Sequence, residues 1–369
     1  MVVEEAYQKH PARAPLPLAG QLLAHAATDA PLGTAWGRPG ADPRPFRWVI
    51  DGGLGPLLHH ASSAGLERLA PDWRQALQAA DLTARIRHAE RVETTLEILE
   101  ACDDARVPAV LLKGISVSEQ LYPAEHLRPM SDVDVLLPAA ARAAVEGALL
   151  RRGCTRLDWP ETPGHHHGAP LFHARLHTVV ELHTSLFPAG SPLAEGTAFH
   201  AGRVLERTVA SHYHGRPVRR LPPGLQLAYT AASWFNDLTN VGPHPSLLTP
   251  AFDAAYLLKA FGPALDWDGL LGEVDNAWAR AALHLTLSSL PRYGVAAPPG
   301  QTLSRLAAEQ GLVGPIQRRL IHRLLDRQLF GGRPWRHALP PPMPGRYSLG
   351  NQLRKRILDR LPGREPQAD

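Results

Sequence analysis

The apolar residues of this chain change their period near residue 105, and that change limits the folds open to it. From 84 to 102, Ile86, Ala89, Val92, Leu96 and Leu99 recur at three- and four-residue steps, the period of a helix with one buried face. Arg85, Arg87, Glu90, Arg91, Glu93, Glu97 and Glu100 make up its polar side. Residues 107–112 are then a short continuous apolar run, as in a buried strand, and Lys113-Gly114 breaks it. Residues 115–121 have the length of a short helix, stopped by Pro123. Val133, Val135 and Leu136 make a second strand, with Asp132 and Asp134 interleaved. Residues 139–152 read as a helix capped by Gly153, 154–157 as an edge strand, and 171–186 as further strand. Helices and strands that alternate in this way predict an α/β (α+β) core over 105–221.

The flanks read differently. Residues 1–50 are rich in Pro, Gly and Ala, with one short helix expected at 18–27 and the rest irregular. Residues 51–104 form a helical region, with a helix over 71–82 that opens on Pro71 and another over 84–102. Beyond Pro222, the segments 225–235, 250–261, 270–290 and 316–330 read as a C-terminal helical domain, 222–330. Thr249-Pro250 and Asp266 supply start signals. The tail, 331–369, is Pro-rich and basic and ends in a short amphipathic stretch, 353–361. No internal repeat is present.

Composition excludes several classes. Apolar residues make up 44%, enough for a sizeable core and too many for global disorder. The 39 Lys and Arg against 35 Asp and Glu leave a net charge of +4, a weak argument for nucleic acid. Only Lys9, Lys113, Lys259 and Lys355 are lysines, so the arginine richness is a compositional bias with little functional content. Cys102 and Cys154 are too few for a disulfide scaffold or a Cys-rich zinc module, and their apolar surroundings predict buried thiols. No secretory signal is evident, and no stretch approaches the ~18 apolar residues of a membrane span. The expectation is a cytoplasmic protein.

The chemistry concentrates in residues 111–138, LLKGISVSEQLYPAEHLRPMSDVDVLLP. Asp132 and Asp134, two apart on a strand, face one side. Adjacent carboxylates repel unless protonated or neutralised by a cation, and Mg²⁺ with its octahedron of oxygen ligands suits such a pair. Gly114 opens a helix just after a strand, where bare backbone N–H groups bind phosphate, and Ser116, Ser118 and Lys113 add donors. In VVELHTSL, Glu181 and His183 share a strand face, which makes Glu181 the natural third ligand. Three carboxylates holding two Mg²⁺ clamp the attacking and leaving oxygens of an in-line displacement.

The pattern LLKG, then LYP, then RPMSDVDVLL, then acid-Leu-His resembles the uncharacterised nucleotidyltransferase family of the DNA polymerase beta-type nucleotidyltransferase superfamily. The resemblance runs over residues 54–295, with a weaker C-terminal match around Asp253 in AFDAAYLLK. It implies a nucleotidyltransferase-type mixed-sheet core flanked by N-terminal helices and a C-terminal bundle. It implies Asp132, Asp134 and Glu181 as catalytic metal ligands, with Glu181 where the superfamily usually has Asp. Lys113, Gly114, Ser116, Arg128 and Ser131 are the implied nucleotide-binding residues, with Ile115 after the glycine where the superfamily has Gly or Ser. His183 and Asp253 stand behind them as supporting residues. The implied cofactors are two Mg²⁺ or Mn²⁺ ions, with an NTP such as ATP as substrate.

Blander readings stand beside these. A lone D-x-D is more often a turn or a solvated strand edge. Lys113 and Arg128 can be surface charges, and Asp253 can merely favour a helix dipole. The run His165-His166-His167, with His173 and His177, matches no established zinc spacing and reads as a solvated loop. Trp234, Phe235, Tyr256 and Trp278 read as helical core. The expected function is transfer of NMP from an NTP to an unidentified acceptor (small molecule, peptide or RNA) with release of pyrophosphate. The alternatives are a non-catalytic nucleotide-binding or interaction module that retains the fold, and an RNA-binding partner of toxin–antitoxin type.

Overall fold

A computed structural model describes residues 16–158, 166–240 and 242–332. His165, the stretch 353–361 and most of both termini lie outside the described residues. The helices before the sheet are α1 (Leu18–Thr28), α2 (Pro43–Asp51), α3 (Gly55–Ala61) and α4 (Pro71–Asp104). The core follows as β1 (Val110–Leu111), α5 (Lys113–Leu121), β2 (Asp132–Leu136), α6 (Arg142–Arg151), β3 (Cys154–Arg156), β4 (Leu171–His173) and β5 (Thr178–His183). It closes with α7 (Ala201–Arg207), β6 (Val209–Tyr213) and β7 (Arg216–Arg220). The remainder is helical: α8 (Pro223–Asn240), α9 (Thr249–Phe261), α10 (Trp267–Glu273), α11 (Ala277–Ser289), α12 (Gly300–Glu309) and α13 (Pro315–Leu324).

The seven strands of the described residues form one mixed sheet in the order β3-β4-β5-β2-β1-β7-β6. β2 runs parallel to β5 and β1 parallel to β7, and the other pairings are antiparallel. β3 stands at one edge, as the sequence predicts for 154–157. One face of the sheet presents Val133, Val135, Val180 and Leu182 to Ile98, Leu99 and Cys102 of α4 and Val145 and Leu149 of α6. The other carries Leu136 into a second core, shared by α1, α8, α9 and α11. The helices that precede the sheet and those that follow it are thus packed together, with α1 lying on α9. Cys102 and Cys154 are buried free thiols. Trp234 and Phe235 are core, as expected. No helix of the described residues is long and apolar enough to cross a membrane.

The structure departs from the sequence reading in four respects. The helices expected at 71–82 and 84–102 are one 34-residue helix, because neither Gly nor Pro interrupts it. Ile86, expected on its buried face, is 56% exposed, since this part of α4 runs clear of the sheet. The helix expected over 270–290 is two, divided where the Asn276 side chain caps Ala279 N–H. The hairpin β6–β7 carries no apolar alternation. Its turn, His214-Gly215, has both residues at positive φ (45° and 78°), the primed geometry whose twist matches the strands.

Candidate active site

Parallel pairing of β2 with β5 places Asp134 opposite Glu181 and Leu136 opposite His183. Side chains two apart share a face, so Asp132, Asp134, Glu181 and His183 are brought to one side of two adjacent strands. Ligand atoms of Asp134, Glu181 and His183 all lie within 4.8 Å of one another, the set that could hold a metal ion. His183 therefore sits among the acids rather than behind them. Asp132 adjoins this set at the start of β2.

The charges are arranged around Asp134. Lys113 Nζ donates to Asp134 Oδ1 at 2.7 Å, and His183 Nε2 lies 2.7 Å from the same oxygen. Burial opposes ionisation of Asp134, but the Lys113 charge and the His183 hydrogen bond outweigh it and hold the carboxyl well below the usual range. Burial and the charge of Asp134 push the Asp132 carboxyl up to about 6. Burial disfavours a charged His183, yet its hydrogen bonds to Asp134 and Glu181 raise its pKa. His183 in turn overcomes the burial of Glu181 and lowers that carboxyl. Lys113 holds this position at φ 42°, in the left-handed region.

The histidine run does not form a solvated loop where the structure describes it. His167 is 6% exposed, bridges the backbone of His183, and places Nε2 3.7 Å from Glu181 Oε2. The His166 ring lies 5.0 Å from that of His183. Nothing in a HisHisHis triplet shows which strand it will pair with. His173 Nε2 lies instead 2.9 Å from Glu97 Oε2, and His177 Nδ1 3.5 Å from Glu90 Oε1, both on α4.

Arg128 and Asp253, 125 residues apart, are paired. Arg128 Nη2 donates to Asp253 Oδ2 at 2.8 Å and Nε donates to Oδ1 at 3.2 Å, while Tyr122 Oη donates to Oδ1 at 2.8 Å. Burial works against the Arg128 charge, but Asp253 more than offsets it and raises its pKa. This pair joins the loop before β2 to α9. Gly114 lies under it: a Cβ here would run into Arg128 Nη1 and Met130 Cγ. A side chain at this position would have to displace the ends of Arg128 and Met130. Ser116 is not brought to the acids. Its N–H is bonded to Leu112 O, and its side chain faces a separate hollow with Gln120 and Gln226.

Lys113, Arg128, Ser131, Asp132, Asp134 and Asp253 line one cleft of about 610 Å³ between the sheet and α8–α9, a size that suits a nucleotide. Arg87 and Arg91 of α4 close its other side. Nothing in the chain's pattern singles them out, because arginines on the polar side of a long helix are ordinary.

The model of a family described as an uncharacterised nucleotidyltransferase matches residues 43–293. No curated protein matches the chain. Similar solved structures include a solution structure of the antibiotic-resistance factor ANT(2'')-Ia, at 16% identity over 55% of this chain and 96% of that one, with a TM-score of 0.34. A crystal structure of ANT(2'')-Ia in complex with adenylyl-2''-tobramycin is similar at 13% identity over 52% of this chain and 97% of that one, with a TM-score of 0.36.

Proposed function

The chain belongs to the uncharacterised nucleotidyltransferase family, and from that premise we propose that it moves a nucleoside monophosphate from an NTP such as ATP to a small-molecule, peptide or RNA acceptor, releasing pyrophosphate in a Mg²⁺- or Mn²⁺-dependent reaction. The observation that carries this reading is the convergence of Asp132, Asp134, Glu181 and His183 on one face of β2 and β5, with Asp132 and Asp134 on the wall of a nucleotide-sized cleft.

The donor set suits the ions. Carboxylate oxygens favour Mg²⁺ and Mn²⁺, and one imidazole is compatible with Mn²⁺. Burial first, and then the charge of Asp134, raise the pKa of Asp132, and a divalent cation would relieve the cost of ionising it there. Asp132, Asp134 and Glu181 would hold up to two ions, with His183 at the edge of the set. Bound there, the ions supply charge stabilisation to the phosphoryl oxygens and to the acceptor oxygen. Lys113, one-third exposed at the cleft, would hold the Asp134 carboxylate in place beside the nucleotide. Glu181, kept ionised by His183, would assist removal of the acceptor's proton.

One observation favours the alternative, a nucleotide-binding module without turnover: Lys113 and His183 already neutralise Asp134. Incubation with each of the four NTPs, with and without Mg²⁺ or Mn²⁺, in the presence of fractionated small molecules, peptides or RNA, separates the two. Transfer gives divalent-dependent pyrophosphate release and an acceptor heavier by one NMP. Release no greater than that of Asp134→Asn, under every condition, leaves only the binding module.

A further inference from the structure

We propose that Arg87 and Arg91 of α4 form the polyphosphate subsite of the cleft, holding the terminal phosphates of the nucleotide; this rests on the nucleotidyl-transfer reading. Four strong cations line the cleft: Arg87, Arg91, Lys113 and Arg128. A triphosphate beside three carboxylates needs cations that are not already committed. Lys113 is bonded to Asp134 and Arg128 to Asp253. Arg87 and Arg91 make no ion pair among the described residues.

Arg91 is the more telling of the two. It is 7% exposed, its Nη1 donates to Arg87 O at 2.7 Å, and its Nε is buried without a partner. A buried guanidinium with an orphaned N–H carries a desolvation cost that an anion would remove. Burial, and then the charge of Arg87, lower its pKa, and Asp132 is the carboxylate outside its own helix that counteracts them. Arg87 is four residues earlier on the same helix face, so the two positive charges repel until something negative lies between them.

The position of the pair fits the tail of a nucleotide. Both arginines line the acidic cleft and also an adjoining recess of about 380 Å³ walled by Ala80, Ala84 and Met130, with no Asp or Glu in its lining. A phosphate chain that starts at Asp132 would leave the acids as it passes Arg91. The usual alternative, the first turn of α5, is obstructed. Gly114 is covered by Arg128 and Met130, and the Ser116 N–H is already bonded to Leu112.

The test is calorimetric titration of the full chain with inorganic pyrophosphate, in EDTA and again with Mg²⁺, and with AMP as the comparison. Charge-assisted hydrogen bonds of this kind are worth roughly 10- to 100-fold in affinity. Arg91→Gln is expected to weaken pyrophosphate by that factor and Arg87→Gln by several-fold. Arg91→Lys is expected to fall between Arg91→Gln and wild type, and AMP to change less than twofold. Arg87 is exposed, so Arg87→Gln decides the question if Arg91→Gln does not fold. Wild-type pyrophosphate affinity in both Gln variants, or no pyrophosphate binding by the wild type in either condition, overturns the proposal. These binding measurements stand apart from turnover. Arginine-dependent pyrophosphate binding with no NTP consumed keeps the subsite and removes the transfer reading. NTP consumption with pyrophosphate affinity unchanged in the variants does the reverse.

Discussion

Lys113 Nζ lies 2.7 Å from Asp134 Oδ1, and the lysine reaches that carboxylate from a backbone at φ 42°. Such a conformation costs about 1–3 kcal/mol in a residue other than glycine and persists where surrounding contacts hold it. Here the contact is the ion pair. The lysine occupies the place that a divalent cation would take in neutralising Asp134. Lys113→Met should therefore destabilise the metal-free protein by about 2 kcal/mol, less than a fully buried pair because the lysine is partly exposed. Mg²⁺ should restore a larger share of stability to this variant than to wild type. Urea midpoints in EDTA and in Mg²⁺ measure both effects, and an equal gain from Mg²⁺ would refute the substitution of one cation for the other.

The buried Arg128–Asp253 pair should behave in the opposite way, with no response to metal. Asp253→Asn leaves a buried guanidinium without its charge partner and should cost about 3–5 kcal/mol. Replacing both partners, Arg128→Met with Asp253→Leu, should cost clearly less than the sum of the single changes. Chemical denaturation of the three variants checks this by a double-mutant cycle.

Gly114→Ala should strike the same arginine from below. Its Cβ would meet Arg128 and Met130, so overpacking of about 1–3 kcal/mol is expected. Because the loss runs through displacement of Arg128, Gly114→Ala and Asp253→Asn should be less than additive. A fully additive pair would mean that the glycine serves something other than the fit of the arginine.

For Glu181, Glu181→Gln should raise the Mg²⁺ concentration that half-saturates pyrophosphate release, and Glu181→Asp should retain part of the rate. Its Oε2, 3.3 Å from His183 Nε2, would lose its charge in the first case and its reach in the second. An unchanged Mg²⁺ response in Glu181→Gln would take this residue out of the metal set.

The C-terminal helices carry a pH dependence of their own. Burial, then the charge of Arg318, lowers the His284 pKa to about 4, and burial, then Arg292, lowers that of His322 to about 4. Arg318 Nη1 lies 3.2 Å from His284 Nε2, which accepts only in the neutral ring. The unfolded chain takes up these protons near pH 6.5 and the folded chain only near 4, so stability falls as pH drops through that window. The melting temperature of wild type should drop more between pH 6.5 and 4.5 than that of His284→Gln with His322→Gln. Parallel curves would assign the acid sensitivity elsewhere.

The legible part of the site was the part written in strand alternation. Asp132, Asp134, Glu181 and His183 interrupt apolar runs at a spacing of two, and a sheet has only two faces to offer them. What was not legible depends on partners distant in sequence. Lys113 and Arg128 read as cations for phosphate, but Asp134 and Asp253 had claimed them through tertiary packing. His166 and His167 carry no periodicity that would reveal their pairing with β5. Arg87 and Arg91 look like any solvated helical face until α4 is seen to border the cleft. The hairpin β6–β7 was hidden for a related reason: RPVRR is strand by its pairing with β1, not by its composition.

The uninterrupted helix α4 has a mechanical corollary. At about 1.5 Å per residue, its 34 residues make a rod about 50 Å long. One half is keyed into the sheet by Ile98, Leu99 and Cys102, and Arg87 and Arg91 project from the middle. Angular phase is therefore transmitted along it without slack. Removing a single residue between Arg91 and Ile98 would turn the arginines about 100° around the axis and aim them away from the cleft. Homologous chains should thus vary in the identity of the exposed residues along this rod while keeping its count.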